Sequence, residues 1–260
     1  MKAKFITILF FFFIANKLFA QDSIMNTVIL LVPFQPEFYL SDAERDIMAH
    51  TQRSPDEYRT YFRKSLDLKI QAELEVMGPC YSMLQDTSAG GKKMLEIFYS
   101  KAGYSYADPV GGRAATKSEM KNNKKKFTLS EDAQTAPQTI TTRGDSKFMQ
   151  MEMKDTSFLN LLFNLYQNNL IVSINQFEIK TNYNSCIDIA NKIYRRELLV
   201  HYSILTSDGK QVRGNFSMEF FPSSNNSDRE IVERTFPGIA STIKKEVEEE
   251  LGKSKAKSAK

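Results

Sequence analysis

The stretch from Asn169 to Lys180 constrains the fold of this chain more than any other. Side chains of a β-strand alternate between its two faces. Here Leu170, Val172 and Ile174 share one face, and the apolar positions change parity after Gln176. The run lies between a predicted helix and a predicted hairpin. It therefore predicts an inner strand of an α/β sheet.

One extra residue near Asn175 and Gln176 would restore the apolar register, so that Phe177 and Ile179 continue the buried set. A β-bulge inserts one such residue, and bulges often lie beside functional sites. Asn175, Gln176 and Glu178 are therefore candidate binding residues. The alternative is a strand that leaves the core at this point, with its polar side chains facing water.

The first twenty residues have the three parts of a secretory signal peptide. A basic start precedes an apolar run from Phe5 to Ile14, and the small residue Ala20 stands before the expected cleavage point at Gln21. The run is shorter than the roughly 20 residues that a membrane-spanning helix needs. We expect residues 1–20 to be removed, leaving a periplasmic or secreted chain without a transmembrane span. An uncleaved N-terminal anchor is the alternative.

The positive charge of the chain lies partly in this leader. The formal charge is +4, and removal of Lys2, Lys4 and Lys17 with the leader takes away three positive charges and leaves +1. The basic composition therefore gives little support for a nucleic-acid partner, and we expect none. The Lys-rich tail, residues 252–260, is predicted to be disordered and solvated, with no peripheral contact to a membrane.

The chain has two cysteines, Cys80 and Cys186. In an exported protein they could form one disulfide, and two buried free thiols are the alternative. The two histidines, His50 and His201, belong to no cluster with metal-ligand spacing, so no metal and no cofactor is predicted. His201 is interpreted as a satisfied or exposed side chain.

The clearest helix begins at Ser54-Pro55-Asp56-Glu57, where a capping box is combined with proline at the first helical position. Apolar residues at spacings of three and four then predict one buried stripe on a long helix. The stripe consists of Tyr58, Phe62, Leu66, Ile70, Leu74 and Met77. Shorter helices are predicted after a capping box at Ser41-Asp42-Ala43-Glu44, over 93–99, where a strand is the alternative, from Asp155 or Thr156 to Tyr166, and after Ser227-Asp228-Arg229-Glu230.

Further strands are predicted at Thr27–Val32, from Cys80, at Glu197–Leu205 and at Gln211–Phe221. Asp188 to Tyr194 is interpreted as a helical turn. The last two strands form a hairpin around Ser207-Asp208-Gly209. With a three-residue turn that has Gly209 in the left-handed region, the numbers of two paired residues add up to 416. This pairing places the apolar sets of both strands on one face.

These elements predict an α/β fold with an α+β tendency. The sheet is mixed, has about five strands, includes a C-terminal β-hairpin and is flanked by helices. Residues 21–251 form a single domain. Periodicity is lost from about Gly103 to Ser146, which predicts a flexible insertion at about 104–147.

The order of elements resembles the small α/β domain shared by the curli-secretion CsgG-like family, the TolB N-terminal domain and the outer-membrane lipoprotein activators of penicillin-binding proteins. The matching pieces are Ile29 to Phe34, Pro55 to Met77 and Leu170 to Ile174. Asn175 to Tyr183 is also similar to a segment of exported Gram-negative envelope proteins. The chain departs from the family in lacking a lipid-attachment Cys near Ala20. The resemblance implies an envelope protein and carries over no catalytic residue.

Two classes of function follow from the sequence. The first is a periplasmic binding or scaffold domain whose partners are envelope proteins. The alternative is a hydrolase-like enzyme with a carboxylate site at the carboxyl ends of the strands, where open α/β sheets bind ligands. Asp42, Glu44, Asn175 and Glu178 are its candidate groups. Asp42 and Glu44 thus join Asn175, Gln176 and Glu178 as the five candidate binding residues, and no residue is singled out as catalytic.

Overall fold

The computed structural model describes residues 27–110 and 147–258, with side chains as far as Lys253. The predicted leader and its cleavage point lie outside the described residues. Within the described ranges the fold is α/β, as predicted. The strands are β1 (Ile29–Val32), β2 (Tyr39–Ser41), β3 (Cys80–Ser82), β4 (Ala102–Ala107), β5 (Phe148–Met153), β6 (Leu170–Asp188), β7 (Ile193–Thr206) and β8 (Gln211–Pro222). The helices are α1 (Glu44–Thr51), α2 (Pro55–Leu74), α3 (Ala89–Lys101), α4 (Ser157–Tyr166) and α5 (Asp228–Ser258).

The main sheet is mixed, and its strand order is β3-β1-β6-β7-β8. β1 runs parallel to both β3 and β6, and β2 extends the same edge of β6 in the parallel sense. The pairs β6–β7 and β7–β8 are antiparallel. β6 is thus the inner strand that its apolar run predicts. A second sheet consists of the antiparallel pair β4–β5.

Each face of the main sheet is covered by a separate layer. On the face that we call the helix face, α2 and α5 bury one side-chain set of β6 and β7, including Val172, Phe177 and Val200. On the opposite face, called the β5 face, α3, α4 and β5 cover Ile171 and Leu205. β1 is buried on both faces, as its continuous apolar run predicts.

The capping box at Ser54 is confirmed. The Ser54 hydroxyl accepts a hydrogen bond from the Glu57 N–H, and the Glu57 carboxylate accepts one from the Ser54 N–H at 3.0 Å. Every member of the predicted apolar stripe is buried. α2 therefore begins where the sequence indicates and turns the predicted side toward the sheet.

The predicted β-bulge is also confirmed. Pairing between β6 and β7 changes from Ile174–Tyr202 to Gln176–His201, which leaves Asn175 as the extra residue. Beyond the bulge the strand continues to Asp188. The segment from Asp188 to Tyr194 is therefore a strand end, a tight connection and a strand start, and the helical turn predicted there is wrong.

The capping box predicted at Ser41 is wrong, although the helix after it exists. Ser41 ends β2, and Ala43 occupies the position before α1 without a side-chain cap. The Asp42 carboxylate instead accepts hydrogen bonds from the N–H and the hydroxyl of Thr181. A tertiary contact between β2 and β6 thus takes the carboxylate that a local cap would have used.

The hairpin prediction is correct at the turn and wrong beyond it. Gly209 has a φ of +87° and Leu205 pairs with Gln211, as the three-residue turn requires. Val212 is then bulged, and Ile204 pairs with Arg213. From Arg213 onward the pairs are shifted by one residue from the predicted register. The polar side chains of β8 therefore lie on the helix face. Buried Arg213 bonds Glu249 and Glu250 of α5 there, which compensates its burial.

Two segments predicted to be irregular contain regular structure within the described residues. The insertion predicted at 104–147 begins inside β4, whose residues to Ala107 pair with β5, while residues 111–146 lie outside the described ranges. Pairing with a distant strand stabilises β4 although its own sequence lacks a clear pattern. The tail predicted to be disordered from residue 252 continues α5 to Ser258. Lys and Ala have good helix propensity, and the preceding helix supplies the nucleus.

The predicted disulfide is absent, and both cysteines are free. Its premise was that the strands of Cys80 and Cys186 run antiparallel, but both are parallel to β1. Cys80 is level with Leu170 across β1, because both pair with Ile29. Cys186 lies 16 residues farther along β6, roughly 50 Å away at about 3.3 Å per residue if the strand were straight. The alternative of two buried thiols is wrong as well, because Cys186 is exposed.

Candidate functional site

The bulge in β6 places a group of buried polar side chains on the β5 face. We call this group the bulge cluster; it consists of Asn175, Gln176 and Glu178 from β6 with His201 and Ser203 from β7. Three of the five candidate binding residues are therefore brought together, and none of the three faces water. The antiparallel partner strand supplies the two members that the sequence analysis did not select.

One half of the cluster binds the backbone of β5. The Asn175 amide donates to the Met149 carbonyl at 2.8 Å, and the Met149 N–H donates to His201 Nδ1 at 2.8 Å. The Met151 N–H donates to the Ser203 hydroxyl at 3.1 Å. These groups lie on the side of β5 that faces away from β4. Side chains of the main sheet thus satisfy a strand edge that would otherwise be buried without partners.

The other half of the cluster leads to the surface. The Tyr106 hydroxyl donates to Gln176 Oε1 at 2.8 Å, and the Gln176 amide donates to Glu178 Oε1. The exposed Lys180 ammonium forms an ion pair with Glu178 Oε2. The buried carboxylate is therefore both hydrogen-bonded and neutralised, as a buried charge requires.

His201 is a neutral hydrogen-bonding group in this setting. Because its Nδ1 accepts from Met149, its ring proton resides on Nε2, which lies 4.0 Å from Glu178 Oε1, beyond hydrogen-bond distance. Burial, and then the positive charge of Lys180, lower the pKa of His201 to about 3. Such an imidazole is a weak proton acceptor near neutral pH. Its position opposite the bulge is the sequence signal that could have placed it in the cluster.

Asp42 and Glu44 do not join the bulge cluster. Asp42 accepts from Thr181, which ties β2 to β6. Glu44 receives two hydrogen bonds from the Arg59 guanidinium, at 2.7 and 3.0 Å, which tie α1 to α2. Each carboxylate has a partner that explains its position, so the predicted group of Asp42, Glu44, Asn175 and Glu178 is not assembled in one place.

The described surface also has an apolar area on α4, which we call the α4 surface. Phe158, Leu159 and Leu162 point into the core, but apolar side chains also occupy both outer flanks of this helix. Leu161 and Leu165, one turn apart, are 43% and 55% exposed, and Phe163 on the other flank is 40% exposed. Asn160 and Asn164 lie between these two flanks, so the apolar arc of this helix is wider than its buried side but does not extend all the way round it.

A cavity of about 370 Å³ lies at the β3 edge of the main sheet and is lined by Glu75, Gly78, Pro79, Cys80 and Tyr81. It contains one carboxylate and none of the predicted binding residues. Within residues 27–110 and 147–258, no group of three His, Cys, Asp or Glu side chains is arranged to hold a metal ion.

No helix in the described part of the chain is long and apolar enough to cross a bilayer. The sequence was also compared with known proteins. No family model matches it, and none of the curated proteins is a recognisable relative.

Proposed function

We propose that this chain is an exported binding or scaffold domain that acts with other proteins in a cell-envelope complex. The observation that carries the proposal is the α4 surface, where Leu161, Phe163 and Leu165 are exposed on a helix whose other side is in the core. Exposed apolar area of this kind is typical of a protein-binding surface. The leader-like start and the resemblance in element order support an envelope location.

The hydrolase alternative has weaker support. An enzyme needs its acid and base within reach of one substrate. Among the described residues, Asp42 and Glu44 hold structural hydrogen bonds outside the bulge cluster, and Glu178 is buried against Lys180 and Gln176. The polar residues near the bulge support β5 packing more directly than they support chemistry.

The partner surface is tested by placing a photo-crosslinking amino acid at Leu165 in the chain expressed in its own cells. Leu68 on α2 is the matched control, because it is also an exposed leucine on a helix, at 53%. We expect a discrete crosslinked envelope protein from position 165 and none from position 68. Equal yields at both positions, or none at 165, would contradict the proposal.

The export component is tested separately by mass measurement of the protein from the periplasmic fraction. We expect the mass of a chain that starts at Gln21. An intact N-terminus, or recovery only from the cytoplasm, would contradict the envelope location.

A further inference from the structure

Helices α3 and α4 lie side by side on the β5 face and run antiparallel. The Lys101 ammonium at the end of α3 forms a 2.9 Å ion pair with the Asp155 carboxylate, which precedes α4. The Asp86 carboxylate, which precedes α3, lies beside the Tyr166 hydroxyl at the end of α4. Each contact joins the end of one helix to the start of the other. The seam between the two helices is therefore held together at both ends.

On α4, two exposed leucines border this seam. Phe158 contacts Phe98 of α3, with ring centroids 6.4 Å apart, and these rings form the floor of the seam. At about 100° per residue, Leu165 and Leu161 lie about 20° and 60° from Phe158. Both lie on the side away from Leu159, which packs against the turn of the β7–β8 hairpin. The two leucines therefore face α3.

On α3, Met94 and Ile97 border the seam from the other side. They lie about 40° and 100° from Phe98, on the same flank as Lys101, whose ion pair with Asp155 shows that this flank faces α4. Both side chains are half-buried and pack against the core of the β5 face. We call this apolar seam the α3–α4 groove; it is lined by Met94, Ile97, Leu161 and Leu165.

The charge along this groove is positive on the α3 side. Exposed Lys93 lies about 40° beyond Ile97, at the outer rim. Glu96 is the acidic residue of α3, and it lies about 160° round the helix from the floor of the groove, on the outer surface. From Ser157 to Tyr166, α4 has no charged residue. An occupant that brings a carboxylate to Lys93 is therefore complementary to this rim.

We infer that the partner's contact at the α4 surface is an amphipathic helix that lies in the α3–α4 groove. Its apolar side chains, spaced by three and four residues, contact the leucines of α4 on one side and Met94 and Ile97 on the other, as a helix packs into a groove. An aspartate or glutamate beside this apolar stripe pairs with Lys93. The inference rests on the proposed function and specifies the element that the partner supplies.

The shape of the surface favours a helix over a bilayer or an extended strand. Asn160 and Asn164 are the outermost side chains of α4, and Leu161 and Leu165 lie below them toward α3. A flat lipid surface would meet these amides first, and burial of an unpaired amide in hydrocarbon is costly. An extended strand would leave its backbone groups without partners, because both helices satisfy their own. A helix also satisfies its own backbone, and its ridge of side chains reaches below the asparagines.

Photo-crosslinking at single positions of the whole chain in its own cells tests the inference. With the crosslinking amino acid at Ile97 or Leu165, we expect the same partner protein to be captured from both helices. Mass spectrometry should place the attachment sites in one partner segment, at helical spacings of about three, four or seven residues. Lys92 is the matched control, because this exposed side chain lies about 120° from Phe98 on the flank of α3 that faces away from α4. We expect no capture from position 92.

Reversal of one charge tests the acidic side of the partner helix. Lys93→Glu should lower the crosslinking yield from Leu165 at least about fivefold, since two carboxylates then face each other. Lys93→Arg should retain the yield. Lys92→Glu, the same change on the opposite flank of α3, should leave the yield unaltered.

The outcomes separate this inference from the proposed function. Crosslinking from 165 without 97, attachment sites at every second residue, or a yield insensitive to Lys93→Glu would overturn the inference while the partner surface remains. A crosslinked product of twice the chain's own mass, lipid adducts alone, or no product from 165 would overturn the proposed function together with the inference.

Discussion

His201 connects the main sheet to β5 by a hydrogen bond that only one tautomer of its neutral ring can accept. Its Nδ1 must be unprotonated to accept from the Met149 N–H at 2.8 Å. Burial and the nearby charge of Lys180 maintain this state by lowering the pKa of His201 to about 3. Tyr106 and Phe216 enclose the ring on two sides, with centroid distances of 6.3 and 5.7 Å. The hydrogen bond and the enclosure together make His201 a structural residue.

This arrangement predicts a pH dependence of stability. The pKa of an unfolded histidine is about 6.5, so the unfolded chain binds a proton at this site before the folded chain does. The contribution of His201 is therefore complete above pH ~6.5 and is lost as the pH falls toward about 3. Each pH unit in this window removes roughly 1.4 kcal/mol of unfolding free energy.

Urea unfolding of the native chain and of His201→Asn between pH 7 and pH 4 checks the prediction. Asparagine retains an acceptor for Met149 and does not titrate. We expect the unfolding free energy of the variant to fall less steeply as the pH falls. Carboxylates contribute equally to both curves, so the difference between the curves reports His201. Parallel curves would contradict the assignment of a neutral His201.

Gly209 is a second position where one residue has a large effect. Its φ of +87° is rarely adopted by side chains with a Cβ, and an added Cβ would lie 2.4 Å from Leu159 Cδ1. Gly209→Val should therefore lower the unfolding free energy by roughly 1–3 kcal/mol. The control is Gly252→Ala in α5, where a Cβ meets no atom within 4 Å. A melting temperature unchanged by Gly209→Val would reject the strained turn.

At the scale of elements, β5 is bound by strand pairing on one edge and by side chains on the other. β4 supplies the first edge, and Asn175, His201 and Ser203 supply the second. This arrangement explains why polar residues occupy the middle of an otherwise apolar β6. The bulge directs them to the β5 face, while Phe177 and Ile179 return to the helix face.

Ser203→Ala tests this role. The Met151 N–H would be left buried without an acceptor, which costs about 1–3 kcal/mol. We expect faster hydrogen exchange at the Met151 amide, with amides of α2 unaffected. Ser105→Ala is the control, because the exposed Ser105 hydroxyl accepts its hydrogen bond from the Gln150 side chain and makes no hydrogen bond with the Met151 amide among the described residues. Unchanged protection at Met151 would show that β5 does not depend on this hydrogen bond.

At the scale of the whole molecule, the parallel course of β3, β1 and β6 determines how far apart Cys80 and Cys186 lie. It puts Cys80 at the buried start of the sheet and Cys186 near the exposed end of the β6–β7 hairpin. Burial, with smaller effects from Glu75 and Asp67, raises the pKa of the Cys80 thiol to about 12. The two thiols therefore differ in both access and reactivity.

Thiol titration without reductant measures this difference. We expect one rapidly reacting thiol in the folded chain, Cys186, and two after denaturation. Cys186→Ser should abolish the rapid reaction and leave one thiol in the denatured chain. If the denatured, unreduced chain had no free thiol, the parallel arrangement of these strands would be wrong.

Local patterns in the sequence determined the elements whose causes are local. The capping box at Ser54, the apolar stripe of α2, the bulge at Asn175 and the left-handed Gly209 each depend on neighbours a few residues away. The order of these elements was enough to predict an α/β fold with a mixed sheet and a terminal hairpin.

Tertiary structure alone decided which polar groups meet across the molecule. Asp42 binds Thr181 instead of capping α1, and β8 turns Arg213 toward α5 because Glu249 and Glu250 are there to pair with it. His201 joins Glu178 and Asn175 only because β6 and β7 are in one particular register. A buried polar side chain is stable where it finds a partner, and that partner is usually distant in sequence.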